Sequence, residues 1–137
     1  MRQHELEELY AGETRIRESR HVYREMRDIK DWEKEVFVAF YLDTQHKIIS
    51  REIVSIGTTN ALVTHPREVF RTAISRNANA VIISHNHPSG EIEVSSEDAE
   101  LTRSLKKAGE IIGIQLLDHV IVSRNDYLSL RDEGYFD

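Results

Sequence analysis

One stretch constrains the chain more than any other, residues 84–98, which read SHNHPSGEIEVSSED. It continues from a short apolar run at 79–84 (NAVIIS), which is typical of a buried strand. Residues i and i+2 of a strand point to the same face, so His85 and His87 project together if the extended geometry continues through them. Pro88 and the glycine that soon follows then end the strand, and the chain must turn back here.

The last residues of this stretch indicate the beginning of a helix. Ser95 is the predicted N-cap, with a carboxylate, Asp98, three positions later. The loop would therefore return Asp98 to the strand end that carries the two histidines. Two imidazole nitrogens and one carboxylate, with a fourth position left to water, are the pattern of a catalytic zinc site. The pair of histidines alone is weak evidence in a chain with seven; the strand, the break and the helix start give it weight.

Composition excludes several classes of protein. The chain has 137 residues, enough for one domain with a substantial core. It has no cysteine, so disulfides and thiolate zinc sites are excluded. Its net charge of −6 argues against strong non-specific binding of nucleic acid. No apolar run approaches the roughly 20 residues that span a bilayer, and the charged N-terminus is unlike a signal peptide, so we expect a cytoplasmic protein without a membrane partner.

The periodicity of apolar residues predicts an order of elements. We expect a polar, loosely held or partner-dependent tail over 1–14 and a single domain over 15–137. The predicted elements are a helix over 15–30, strands over 35–43 and 47–56, a short extended piece over 61–63, a helix from Pro66 to about Asn77, a strand over 79–84, a helix over 96–112 stopped by Gly113, a strand over 114–123 and a helical turn over 127–130. The order α-β-β-α-β-α-β predicts a three-layer α/β/α domain around a mixed sheet.

A zinc hydrolase also needs a base for water and a donor for the developing oxyanion. Glu35 is the best candidate for the base because it begins the first central strand, and ends of strands in one sheet can lie close together. Glu52 and Glu91 compete with it, although Glu91 is better explained as an exposed loop residue. Ser95 lies near Asp98 and can donate to the oxyanion, cap the helix, or do both.

A polar pair, Asp118-His119, interrupts the last long predicted strand. A carboxylate and an imidazole in such a place can line the site or orient a metal ligand. A hydrogen-bonded structural pair is the interpretation that we prefer at this point.

The residues quoted above resemble the JAMM (MPN+) motif, His-x-His-Pro-x6-Ser-x2-Asp, with a glutamate before an upstream apolar strand. Within that superfamily the chain looks like the RadC family over roughly residues 30–131. The stretches that carry this resemblance are Gly57-Thr58, His65-Pro66-Arg67-Glu68-Val69-Phe70, Ser84-His85-Asn86-His87-Pro88-Ser89-Gly90 and Leu117-Asp118-His119.

The resemblance implies a JAMM/cytidine-deaminase-like fold and a zinc metallopeptidase or isopeptidase acting on a protein or peptide. It implies one zinc ion per chain, held by three ligands, and two catalytic residues. The implied ligands are His85, His87 and Asp98. The implied catalytic residues are Glu35, which would activate the zinc-bound water, and Ser95, which would donate to the oxyanion.

Two other functions stay open. A non-enzymatic, DNA-repair-associated module that binds metal is suggested by the basic segment 15–30, with six Arg or Lys against three Asp or Glu. RadC-like proteins commonly carry helix-hairpin-helix elements ahead of this domain, and the residues ahead of it here are too few for them. A metal-dependent nuclease is the other, but a single-ion ligand set suits phosphodiester cleavage less than a two-metal cluster does. The literal His-Asn-His triplet does not indicate an HNH nuclease, because its residues are contiguous at one strand end. The oligomeric state also stays open, a homodimer included.

Overall fold

The computed structural model describes residues 8–9, 13–57 and 64–136, which form one mixed sheet with helices on both faces. The elements in chain order are β1 (Glu8–Leu9), α1 (Ser19–Glu25), β2 (Val36–Leu42), β3 (Ile48–Ile56), α2 (Pro66–Ser75), β4 (Ala80–Asn86), α3 (Ser96–Ile112), β5 (Gln115–Val122) and β6 (Tyr127–Ser129). The sheet has six strands in the order β1-β3-β2-β4-β5-β6. Among these strands, β4 and β5 are the parallel pair, joined through α3, and the other neighbours are antiparallel.

Two apolar clusters cover the two faces of the sheet. On one face, α1 and the turns after it bring Val22, Met26 and Ile29 onto the sheet. On the other face, α2 and α3 pack their buried side chains, Phe70 and Leu105 among them. All seven residues of β2 are buried, and they alternate between the two clusters, as a central strand requires. The predicted three-layer α/β/α architecture with a mixed sheet is therefore confirmed.

The position of β4 determines where the polar residues of the chain meet. It lies between β2, which runs antiparallel to it, and β5, which runs parallel. The first residues of β2 therefore lie beside the last residues of β4 and β5. His85, for example, is opposite Phe37 on one side and Ile121 on the other. This edge of the sheet collects residues that are distant in sequence.

Two predicted elements differ from the structure. The helix expected over 15–30 is shorter, because after α1 the backbone turns at Met26 and so brings Ile29 onto the sheet. The helical turn expected over 127–130 is wrong: these residues begin with β6, which pairs with the end of β5. Edge pairing of this kind depends on a partner strand and not on local periodicity.

The predicted tail over 1–14 contains the two residues of β1, which pair with Ser50 and Arg51 of β3. Residues 1–7 and 10–12, and the extended piece predicted over 61–63, lie outside the described part of the chain. None of the helices that the structure describes has the length and apolar character needed to cross a bilayer.

Gly109 of α3 generates a prediction about the packing of this helix. A Cβ at this position would lie 2.4 Å from the Ile114 carbonyl oxygen and 3.3 Å from Phe70 Cζ. Alanine normally favours a helix over glycine by about 1 kcal/mol, but overpacking typically costs about 1–3 kcal/mol. We therefore expect Gly109→Ala to lower the free energy of unfolding, as measured by urea denaturation. Glu110→Ala, at the neighbouring exposed position, is the matched control, and a more stable Gly109→Ala protein would contradict the prediction.

Candidate metal centre

The two histidines after the apolar run point into one site. His85 is the penultimate residue of β4 and is fully buried, whereas His87 follows the strand and is half-buried. The extended pairing continues past β4, because the His87 backbone N–H donates to the Val122 carbonyl at 2.8 Å. Both rings therefore lie on the same side, and their Nε2 atoms are 2.9 Å apart. Strand geometry alone thus accounts for the convergence of this pair.

The first turn of α3 places Asp98 beside the histidines. The Asp98 N–H donates to Ser95 Oγ at 3.0 Å, and the Ser95 N–H donates to Asp98 Oδ2 at 3.1 Å, so the two residues form a capping box. Asp98 Oδ1 then lies 3.4 Å from His85 Nε2, and Oδ2 lies 3.7 Å from His87 Nε2. The interaction that begins the helix also fixes the orientation of the carboxylate, which is 3% exposed.

Glu35 lies at the same edge, immediately before β2. Its Oε1 is 3.7 Å from His85 Nε2, and the ligand atoms of Glu35, His85 and His87 lie within 4.8 Å of one another. Burial raises the pKa of Glu35, and the nearby charge of Asp98 raises it further, against an opposing effect of His87. A carboxyl group with a raised pKa is suited to exchange a proton near neutral pH.

The two competing glutamates lie elsewhere or face away. Glu52 is opposite Ala39 in the middle of the β2–β3 pair, several residues inward from the edge at which Glu35 lies. The side chain of Glu91 is exposed, as expected, but its backbone carbonyl accepts a hydrogen bond from His87 Nδ1 at 2.7 Å. This bond keeps a proton on Nδ1 and leaves the Nε2 lone pair of His87 directed into the site.

Asn86, between the two histidines, holds the segment that carries Glu35. Its side-chain oxygen accepts from the Val36 N–H at 2.7 Å, and its amide donates to the carbonyls of Trp32 at 3.2 Å and Lys34 at 3.0 Å. Asn86 faces away from the two imidazoles, so one strand end supplies both imidazoles and, on its other face, the three hydrogen bonds of Asn86, which we call the clamp. No role was predicted for this residue from the sequence. Its alternation with two candidate ligands on a strand was the available signal.

The structural role that we preferred for Asp118 and His119 fits Asp118, whose carboxylate also accepts the His119 backbone N–H at 2.7 Å, whereas the His119 ring contacts a candidate ligand, as the other interpretation expected. Neighbouring strand residues face opposite sides of the sheet, so the two side chains have separate partners. Asp118 accepts from the Ser129 hydroxyl at 2.6 Å and from the Arg131 N–H at 3.1 Å, which ties β6 and the C-terminal segment to β5. His119 is fully buried and lies 2.8 Å from His85 Nδ1 through its Nε2.

Burial keeps the imidazoles of His85 and His119 neutral. It lowers the pKa of His85 and of His119 well below the usual value; His87 lowers the pKa of His85 further, and His85 and His87 lower that of His119 against an opposing effect of Asp98. The His85 ring also stacks on Phe37, with ring centroids 4.4 Å apart. A neutral imidazole has a lone pair to offer a cation, so the apolar surroundings prepare His85 as a ligand.

The donors present suit a divalent cation. A tetrahedral site with nitrogen ligands at 2.0–2.1 Å separates two such nitrogens by about 3.3 Å, close to the 2.9 Å between the Nε2 atoms of His85 and His87. Ligand atoms of His85, Asp98 and His119 also lie within 4.8 Å of one another. A cavity of about 660 Å³ opens next to His87, lined by Glu35 and Ser95 among others. The arrangement can therefore hold an ion with one side open to a substrate.

Asn86 provides a test of how the site is assembled. In Asn86→Asp the two amide donors are replaced by a carboxylate oxygen, so the carbonyls of Trp32 and Lys34 lose their partner. We expect the free energy of unfolding to fall by about 1–3 kcal/mol, because the side chain at position 86 is fully buried and the new carboxylate oxygen would have no donor there. Asn79→Asp, at the exposed position immediately before the same strand, makes the same change of charge and should alter stability by less than about 0.5 kcal/mol. Equal losses in the two variants would show that the clamp does not stabilise the site.

Comparisons with known proteins agree with the geometry. A family model described as RadC-like JAB domain matches residues 16–135. A UPF0758 protein of Finegoldia magna is 50% identical over 109 residues, covering 80% of this chain and 49% of that protein. A UPF0758 protein of Desulforamulus reducens is 49% identical over 109 residues, covering 80% and 48%. One of Methanosarcina mazei is 46% identical over 114 residues, covering 83% and 48%.

The chain thus spans about half the length of the curated relatives it matches. The family model, in contrast, covers nearly all of the described domain, including every residue of the candidate metal centre. The resemblance drawn from residues 84–98 is therefore confirmed, and the chain belongs to the RadC-like JAB domain family.

Proposed function

We propose that this chain is a zinc-dependent hydrolase of amide bonds, a metallopeptidase or isopeptidase of JAMM type that acts on a protein or peptide. One observation carries the proposal: two histidine nitrogens and one buried aspartate oxygen converge on a point beside a glutamate, at the edge of an open cavity. Membership of the JAB domain family supports the hydrolytic class.

The proposed ligand atoms are His85 Nε2, His87 Nε2 and one carboxylate oxygen of Asp98. Three protein ligands of this chemistry with an open fourth position are typical of catalytic zinc sites, with one ion per chain. Zinc bound there would supply a Lewis acid that polarises a carbonyl and lowers the pKa of a water molecule.

Glu35 has the position and the proton affinity of a general acid/base. It lies near both histidines, yet its Oε1 is 3.7 Å from the closer nitrogen, His85 Nε2. Burial raises its pKa towards the range in which a carboxyl group can accept and return a proton. In the proposed reaction Glu35 takes the proton of the attacking water and then gives it to the leaving amine, so the C–N bond breaks with the proton balance conserved.

Ser95 would stabilise the oxyanion of the tetrahedral intermediate. Its Oγ already accepts the Asp98 N–H, but a hydroxyl has a second lone pair and a proton of its own to donate. The residue lines the cavity next to Glu35 and His87, so a carbonyl oxygen bound there would be within its reach. The capping role and the catalytic role are therefore compatible.

The basic segment offers less support for a DNA-associated module than its composition suggested. Arg20 pairs with Glu18 at 2.5 Å, and Arg24 lies 3.5 Å from Glu25. Local carboxylates thus offset part of the positive charge on α1. We retain amide hydrolysis as the proposal and use plasmid DNA as a comparison substrate.

Replacing Glu35 by Gln tests the catalytic assignment. We expect Glu35→Gln to retain about one zinc per chain, measured by elemental analysis, while hydrolysis of a peptide pool falls by about 10²–10⁴-fold. The pool should include isopeptide-linked peptides, with products identified by mass spectrometry, and plasmid DNA should stay intact beside it.

Glu110→Gln is the matched control, since it makes the same charge change at an exposed position of α3 that does not line the cavity, and it should leave hydrolysis nearly unchanged. Wild-type protein that binds no zinc, or a fully active Glu35→Gln variant, would overturn the proposed mechanism.

Two substitutions of Ser95 separate its capping role from its catalytic role. Ser95→Ala should lower the free energy of unfolding by about 0.5–2 kcal/mol. Ser95→Gly should lower it by only about a few tenths of a kcal/mol, because glycine is a tolerated N-cap. Both variants lose the hydroxyl, so both should lower kcat by about 10²–10³-fold. Activity that instead follows stability, with Ser95→Gly near wild type, would show that the hydroxyl serves only as a cap.

A further inference from the structure

We propose that His119, held by Thr102, is a positioning residue that sets the tautomer of His85 and connects that ligand to the helical turn bearing Asp98. The inference rests on the proposed metal site, and it extends that site inward to two residues that would not touch the ion or a substrate. The observation behind it is a series of three buried hydrogen bonds.

The series runs from β4 through β5 to α3. His85 Nδ1 lies 2.8 Å from His119 Nε2, and His119 Nδ1 lies 2.8 Å from Thr102 Oγ1. The Thr102 hydroxyl donates to the backbone carbonyl of Asp98 at 2.9 Å, one helical turn earlier. All four residues are buried, with Asp98 the most exposed at 3%. The two outermost members of the series, His85 and Asp98, are both proposed ligands.

The direction of these bonds follows from counting protons. For His85 Nε2 to offer its lone pair to a cation, the ring proton must be on Nδ1, from which it donates to His119 Nε2. His119 then carries its own proton on Nδ1 and donates to Thr102 Oγ1. The threonine proton remains for the Asp98 carbonyl. Every donor and every acceptor in the series is used once.

The opposite direction loses one buried hydrogen bond, the one from the Thr102 hydroxyl to the Asp98 carbonyl. If His119 donated from Nε2 to His85, its Nδ1 would become an acceptor. That nitrogen and the Asp98 carbonyl would then compete for the single proton of Thr102. The Asp98 carbonyl would then keep only the backbone hydrogen bond of the helix, so the direction with the additional bond favours the tautomer of His85 that binds a cation through Nε2. Through His119, the Thr102 hydroxyl therefore determines which ring nitrogen of His85 carries the proton.

Thr102→Val tests the proposal, because valine has nearly the shape of threonine but no hydroxyl. We expect the zinc dissociation constant, measured by competition with a chromophoric chelator, to rise about 10-fold or more, within the range typical of lost partners of metal ligands. Thr102→Ser keeps the hydroxyl and should bind zinc within about 3-fold of wild type.

A buried threonine of another helix provides the matched control. Thr72 of α2 is also buried, so Thr72→Val likewise removes a buried hydroxyl, and it should leave zinc affinity unchanged. A merely structural role of Thr102 would lower stability in Thr102→Val without a specific loss of zinc affinity. Equal zinc affinities in Thr102→Val and Thr102→Ser would overturn the proposal.

Ring nitrogen chemical shifts give a readout that does not depend on zinc affinity or activity. Long-range ¹H–¹⁵N correlation spectra should show His119 of the wild-type protein with its proton on Nδ1, and this preference should weaken in Thr102→Val. A His119 proton found on Nε2 would contradict the positioning role. If the wild-type protein binds no zinc, the proposed function fails on that result alone, whereas zinc binding that is indifferent to Thr102 removes only the positioning role.

Discussion

The antiparallel pairing of β2 with β4 is the constraint on which the rest of the site depends. Because β2 begins where β4 ends, Glu35 comes to lie beside His85. The pairing is reinforced by Asn86, whose amide bonds the segment just before β2. If the same two strands ran parallel, Glu35 would lie at the opposite end of β4 from His85. The candidate base and the candidate ligands therefore form a unit through backbone pairing, before any ion is considered.

Burial is the second requirement of the site, because desolvation controls the charge of the candidate ligands. The sheet and Phe37 enclose His85, and the resulting desolvation keeps its imidazole neutral and able to bind a cation. Asp98 remains at the beginning of α3, where the capping box and the positive end of the helix dipole favour a carboxylate. The start of α3 and the candidate metal site thus use the same side chain, so the local stability of α3 and the geometry of the site are coupled.

Local patterns predicted the elements whose ends carry their own signals. The helix over 96–112 has the predicted bounds, because Ser95 caps it and Gly113 ends it in the left-handed region at a φ of 88°. The helical turn over 127–130 failed because the residues of β6 are extended by pairing with β5 and by the bond from Ser129 to Asp118. A three-residue edge strand has no periodicity of its own to detect.

The sequence by itself determined the α/β class, the two imidazoles on one face of a strand and the carboxylate at a capped helix start. Each of these depends on neighbours within a few residues, so backbone geometry and capping chemistry were sufficient. Only the tertiary structure decided that Glu35 rather than Glu52 joins the site, that Asn86 holds it there, and that His119 contacts His85. Those contacts depend on the order and register of strands, which arise from packing around two cores and which no short stretch of residues specifies by itself.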